Sequence, residues 1–114
     1  MGADIDFCFK DGTSAQFRDS YNNSNLAWVI GESYWGTAGT GHKSRLVRLS
    51  VWKKFFRKLA AITDQQIEDR LDKLVAEGRL ERPSEWREYF KKQRDFLKEL
   101  SKRFKDLDDI RASV

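Results

Sequence analysis

Gly36, Gly41, Lys43 and Ser44 are the residues whose types and spacing come nearest to a known chemistry. Two glycines five apart, followed at once by Lys and Ser or Thr, make a loop that cradles phosphates. Its backbone amides turn inward and its lysine reaches the terminal phosphate groups. Here His42 separates the second glycine from Lys43. A working loop of this kind also follows a buried strand of a parallel sheet and needs a carboxylate elsewhere for its metal ion. The residues before Gly36 read as a short helix, and no apolar run ending in Asp follows. Nucleotide hydrolysis is therefore not expected. The glycine-rich stretch 36–43 reads as a hinge leading into a helix start, where free amides beside Lys43 and Arg45 favour a weakly held anion.

Other catalytic equipment is sparse. His42 is the only histidine, with no orienting partner nearby in sequence, so an enzyme with a site near His42 is the least favoured reading. Asp4 and Asp6 have the look of a paired carboxylate site. Strand alternation puts them on a polar face with Arg18 opposite Asp4, which points to a solvated cross-strand ion pair. Cys8 stands alone, so no internal disulfide exists. No Cys, His and Asp cluster has the spacing of metal ligands, and neither metal nor cofactor is expected.

The charge pattern is more informative. The chain of 114 residues carries a net charge of +4. Seven of its 22 basic residues, and none of its 18 acidic ones, fall between 37 and 63. They are Lys43, Arg45, Arg48, Lys53, Lys54, Arg57 and Lys58. On a helix over 44–62, with Ser44 as N-cap, Leu46, Leu49, Val51, Trp52, Phe55, Phe56, Leu59 and Ile62 gather on one side. Lys53, Lys54, Arg57 and Lys58 gather on the other. Such a helix can follow nucleic-acid phosphates, lie on an anionic membrane or dock an acidic protein. In so short a chain the apolar side is needed for the core, which argues against the membrane.

The elements that must position these residues follow from the rest of the pattern. Ile5, Phe7 and Phe9 alternate with polar residues, and "KDGT" supplies a turn, so 4–18 is a β-hairpin. A two-residue loop would set Phe9 opposite Ser14. A three-residue loop, Lys10-Asp11-Gly12, pairs Phe9 with Thr13, Phe7 with Ala15 and Ile5 with Phe17, which collects the apolar residues on one face. "DSYNNSN" is a run of turn and cap formers. The segment 25–35 reads as a short helix capped by Ser24 or Asn25, with a third strand as the alternative.

Thr63 and Gln66 form a capping-box pattern and Gly78 suits a helix end, which marks a helix over 64–77 with Ile67, Leu71, Leu74 and Val75 as its stripe. The end of this stretch, "LDKLVAEGRLER", resembles the close of a recognition helix in winged-helix DNA-binding domains. Three features depart from that family. Too few residues precede it for the usual second helix, Asp64, Glu68, Asp69 and Asp72 would repel phosphate, and "RPSEWREY" starts a helix where the wing should be. A long C-terminal helix is expected over 84–107, opened by Pro83. Trp86, Phe90, Leu97, Leu100 and Phe104 form a stripe along it that could meet a second copy in a homodimer.

The expected fold is α+β, a single domain over 1–114. An N-terminal antiparallel hairpin, or three strands if 25–35 is extended, packs against three to four helices. No leader or membrane span is read from the sequence, so a soluble, cytoplasmic protein is expected. The favoured function is a small non-catalytic interaction or regulatory protein with an acidic protein partner, its size in keeping with an origin in a phage or mobile element. The alternative is nucleic-acid binding through the basic helix.

Overall fold

The computed structural model describes residues 2–20, 25–34 and 47–113. Two strands, β1 (Gly2–Phe9) and β2 (Ser14–Ser20), form the expected hairpin. Its register is Ile5 opposite Phe17, Phe7 opposite Ala15 and Asp4 opposite Arg18. The Phe9 amide donates to the Thr13 carbonyl at 2.9 Å, which closes the three-residue loop. Gly12 supplies the left-handed residue at φ +86°. The Asp11 carboxylate accepts from both the Thr13 amide and hydroxyl and locks the turn.

Three α-helices follow among the described residues: α1 (Leu49–Ala60), α2 (Asp64–Ala76) and α3 (Pro83–Ser101). The Thr63–Gln66 capping box is formed, and Gly78 takes φ +69° after α2. The start of the basic helix expected at Ser44 lies outside the described residues, and within them the helix begins at Leu49. Within 25–34 the short helix expected from the sequence is of the 3-10 kind, and no strand forms. Leu26–Ile30 forms a 3-10 turn whose cap is Asn25, its side-chain oxygen accepting from the Ala27 amide at 2.9 Å.

The largest departure from the sequence expectation is at the C-terminal end. The long helix stops at Ser101 rather than 107. A 3-10 turn, Phe104–Asp106, leads into a strand, β3 (Leu107–Ser113). The sheet is therefore three-stranded and antiparallel, ordered β2-β1-β3, and its third strand comes from the far end of the chain rather than from 25–35. Leu107 and Ile110 are three apart, the spacing of a helix face. In β3 they share the buried face because of a bulge: Cys8 pairs with Asp109 while Phe9 pairs with Leu107, leaving Asp108 as the extra residue.

Helices α1 and α3 pack on the apolar face of the sheet, Phe56 against Phe7 and Phe96 against Phe17, and the other face is polar. A single core joins them. Phe7 is its centre, with the Phe56 ring edge-on at 4.9 Å and the Phe104 ring stacked at 5.9 Å. Helix α3 runs between α1 and α2 and packs on both. Val51 and Val75, expected to be buried, are 44% and 48% exposed.

Candidate interaction surface

The apolar side of α1 is committed to the core. Trp52, Phe55, Phe56 and Leu59 are all buried, and Trp52 stacks on Phe56 at 5.6 Å. The opposite side is held outward on a rigid helix. Arg48, Lys54, Arg57 and Lys58 are exposed there and Lys53 is half-buried. The fold engages two of them. Lys58 meets Glu32 at 3.2 Å, and Arg57 lies 5.5 Å from the centre of the Phe104 ring. Arg48, Lys53 and Lys54 have no ion-pair partner among the described residues. Lys43, Arg45, His42 and the 36–43 stretch lie outside them.

Charge on the neighbouring helices is handled differently. Two carboxylates of α2, Asp64 and Glu68, face arginines of α3. Arg87 holds Glu68 with two parallel hydrogen bonds, one of them Nη2 to Oε2 at 3.0 Å. Arg94 donates to Asp64 at 2.7 Å and to the Ile62 carbonyl at 3.1 Å. These hydrogen bonds, reinforced by the guanidinium charges, hold the Asp64 and Glu68 carboxyls below the usual carboxylate range. Two carboxylates of the α2–α3 seam are thus neutralised within the chain, whereas among the described residues α1 has only Glu32 against its cations.

The residues of the expected oligomer stripe are divided. Phe90, Leu97, Leu100 and Phe104 are buried in the chain's own core, and Trp86 is half-buried with Phe90 edge-on at 6.4 Å. Phe104 belongs to the 3-10 turn, not to the helix. The outward apolar residue of α3 is Phe96, 40% exposed and stacked on Phe17 at 6.0 Å.

One polar cluster escaped the sequence reading. Asp19, read as part of a turn run, is only 4% exposed. It is the last inward position of β2, paired with Ala3. Oδ1 accepts from the Ser20 amide at 2.9 Å and the Tyr89 hydroxyl at 2.6 Å. Oδ2 accepts from the Leu26 amide at 2.9 Å and the Tyr34 hydroxyl at 2.6 Å. Burial raises the Asp19 pKa above the usual carboxylate range despite these four donors, and burial beside the Asp19 charge raises the Tyr89 phenol. The alternation Ala15, Phe17, Asp19 was the available signal. The cluster ties the end of β2 to the 26–30 turn and to α3.

Asp4, Asp6 and Cys8 lie on the open polar face of the sheet. Arg18 Nε meets Asp4 Oδ1 at 2.8 Å, the cross-strand pair expected from the register. Among the described residues no group of three or more His, Cys, Asp or Glu could hold a metal ion, and no helix is long and apolar enough to cross a membrane. No protein-family model, no curated protein and no solved structure matches the chain.

Proposed function

We propose that this protein is a small non-catalytic interaction module that docks an acidic segment of a protein partner on the outer side of α1. The observation that carries this reading is the contrast in charge compensation. Glu68 and Asp64 of α2 are matched by Arg87 and Arg94 across the α2–α3 seam, while Arg48 at the start of α1 and Lys53 and Lys54 on it have no ion-pair partner among the described residues. An uncompensated cation row on a helix anchored by four buried residues is pre-organised, so a partner need not order it on binding.

Fluorescence anisotropy with a labelled oligoglutamate peptide tests the reading, beside a labelled DNA duplex of mixed sequence. Peptide binding that the double variant Arg48→Glu, Lys54→Glu abolishes is the expected result. DNA binding that is tighter than peptide binding, and that falls steeply with salt, would replace it with the nucleic-acid reading.

A further inference from the structure

Arg70 lies midway along α2, on the flank of the buried stripe formed by Ile67, Leu71 and Leu74. Arg87 and Arg94 on the facing helix are both paired with carboxylates. Arg70 has no hydrogen bond and no ion pair among the described residues, and its Nε–H is sealed from solvent without an acceptor. Burial lowers the proton affinity of this guanidinium. Glu77 opposes that effect and Arg79 adds to it. A buried donor without an acceptor is uncommon in a folded protein and calls for an explanation. Packing of the arginine stem on apolar neighbours would account for its methylenes, but not for the unmatched Nε–H.

Arg70 also lines a concavity. Between α2 and the 26–30 turn runs a groove of about 330 Å³, lined by Arg70 together with Trp28, Gln66 and Lys73. That volume lies at the small end of the range of small-molecule sites, roughly 300–1,000 Å³. Trp28 is half-buried and lends an indole to the wall. Asp69 also lines the groove, and its carboxylate is engaged by the Gln65 amide at 2.9 Å. Two cations and a flat apolar surface therefore share one concavity, and a guanidinium is suited to a planar oxyanion.

We propose that this groove binds a small molecule carrying an oxyanion on a flat ring, with the carboxylate or phosphate on Arg70 and Lys73 and the ring against Trp28. The site is separate from the cation row on α1 and does not depend on it.

The test uses the full chain, labelled with nitrogen-15 and followed by NMR at the Arg70 Nε–H and the Trp28 indole N–H. Three probes are titrated: benzoate, adenosine monophosphate and inorganic phosphate. Benzoate and the nucleotide distinguish a carboxylate from a phosphate source. At least one of them is expected to shift both signals saturably, with a Kd of about 1 mM or below. Inorganic phosphate is expected to bind more weakly, and affinity equal to that of the nucleotide would remove Trp28 from the site. Arg70→Gln is expected to weaken binding about tenfold or more, through loss of the charge-assisted pair. Lys73→Gln, at an exposed position, serves as a second variant should Arg70→Gln not fold, with an expected loss of about threefold. The proposal is overturned if neither benzoate nor the nucleotide gives saturable shifts. It is equally overturned if the shifts survive unchanged in folded Arg70→Gln, or in Lys73→Gln where Arg70→Gln does not fold.

Discussion

The Tyr89 hydroxyl donates a 2.6 Å hydrogen bond to Asp19, a carboxylate 70 residues earlier in the chain. That contact, with Tyr34 on the other oxygen, makes Asp19 the polar joint between sheet, 3-10 turn and α3. Removing one donor leaves three. Tyr89→Phe is expected to cost about 1–3 kcal/mol, and Asp19→Ala roughly 3 kcal/mol or more, because it orphans four donors at once. Urea denaturation of the two variants checks the order. Equal and negligible losses would show that the joint does not support the fold.

The same pair sets an alkaline limit. The Tyr89 phenol is raised in the folded state by burial and by the adjacent Asp19 charge. A phenol that stays protonated when folded favours folding fully below the ordinary tyrosine range. That contribution is lost as pH climbs through that range toward the raised folded value. Thermal stability of the wild type is expected to fall above about pH 10, and that of Tyr89→Phe to fall less. Melting curves across the alkaline range show whether the two slopes differ.

At the acid end the signs divide. Asp64 and Glu68 have depressed pKa values because Arg94 and Arg87 hydrogen-bond their charged forms. Their stabilising effect is present above the ordinary carboxylate range and is lost as pH falls through their folded values. Asp19 is raised and acts oppositely, favouring folding below the ordinary range and losing that effect as pH rises through its folded value. Arg87→Gln and Arg94→Gln are each expected to flatten the acid decline of the melting temperature. An acid limb identical to that of the wild type in both variants would remove the seam from the account.

The strand β3 gives a prediction that separates it from a helix. Deleting one residue of the Asp108-Asp109 pair removes the bulge and leaves Leu107 and Ile110 two apart, the spacing of a regular strand. The deletion is expected to be tolerated, at a cost of roughly 1 kcal/mol or less. In a helix the same deletion would rotate Ile110 and all that follows by about 100° and uncover the buried residues. Stopping the chain after Asp106 is expected to abolish cooperative unfolding, since one edge of the central strand β1 loses its partner. Circular dichroism of the two variants distinguishes the cases.

Leu97 was read from sequence as part of an oligomer stripe and is fully buried within the chain. Leu97→Ala is expected to lower stability by about 2–5 kcal/mol. The loss should not depend on protein concentration. A melting temperature of the wild type that rises with concentration, and no longer does so in Leu97→Ala, would return the residue to an interface.

Local patterns determined much of this protein. Two-residue alternation with a left-handed Gly12 settled the hairpin register. Thr63, Gln66 and Gly78 bounded α2, and Pro83 marked the start of α3. The segregation of Trp52, Phe55, Phe56 and Leu59 from Lys53, Lys54, Arg57 and Lys58 marked the face that α1 would bury. Each of these is a relation between residues a few positions apart. Tertiary structure decided what depends on distant partners. Leu107 and Ile110 have helical spacing, and only the unpaired edge of β1, with a bulge to absorb Asp108, makes them a strand. Asp19 looks like a turn residue until Tyr34 and Tyr89 arrive from later elements to hold its charge. Arg70 is one of many helical cations in sequence. Only the packing of α2 against the 26–30 turn seals its Nε–H without an acceptor and places Trp28 across the groove.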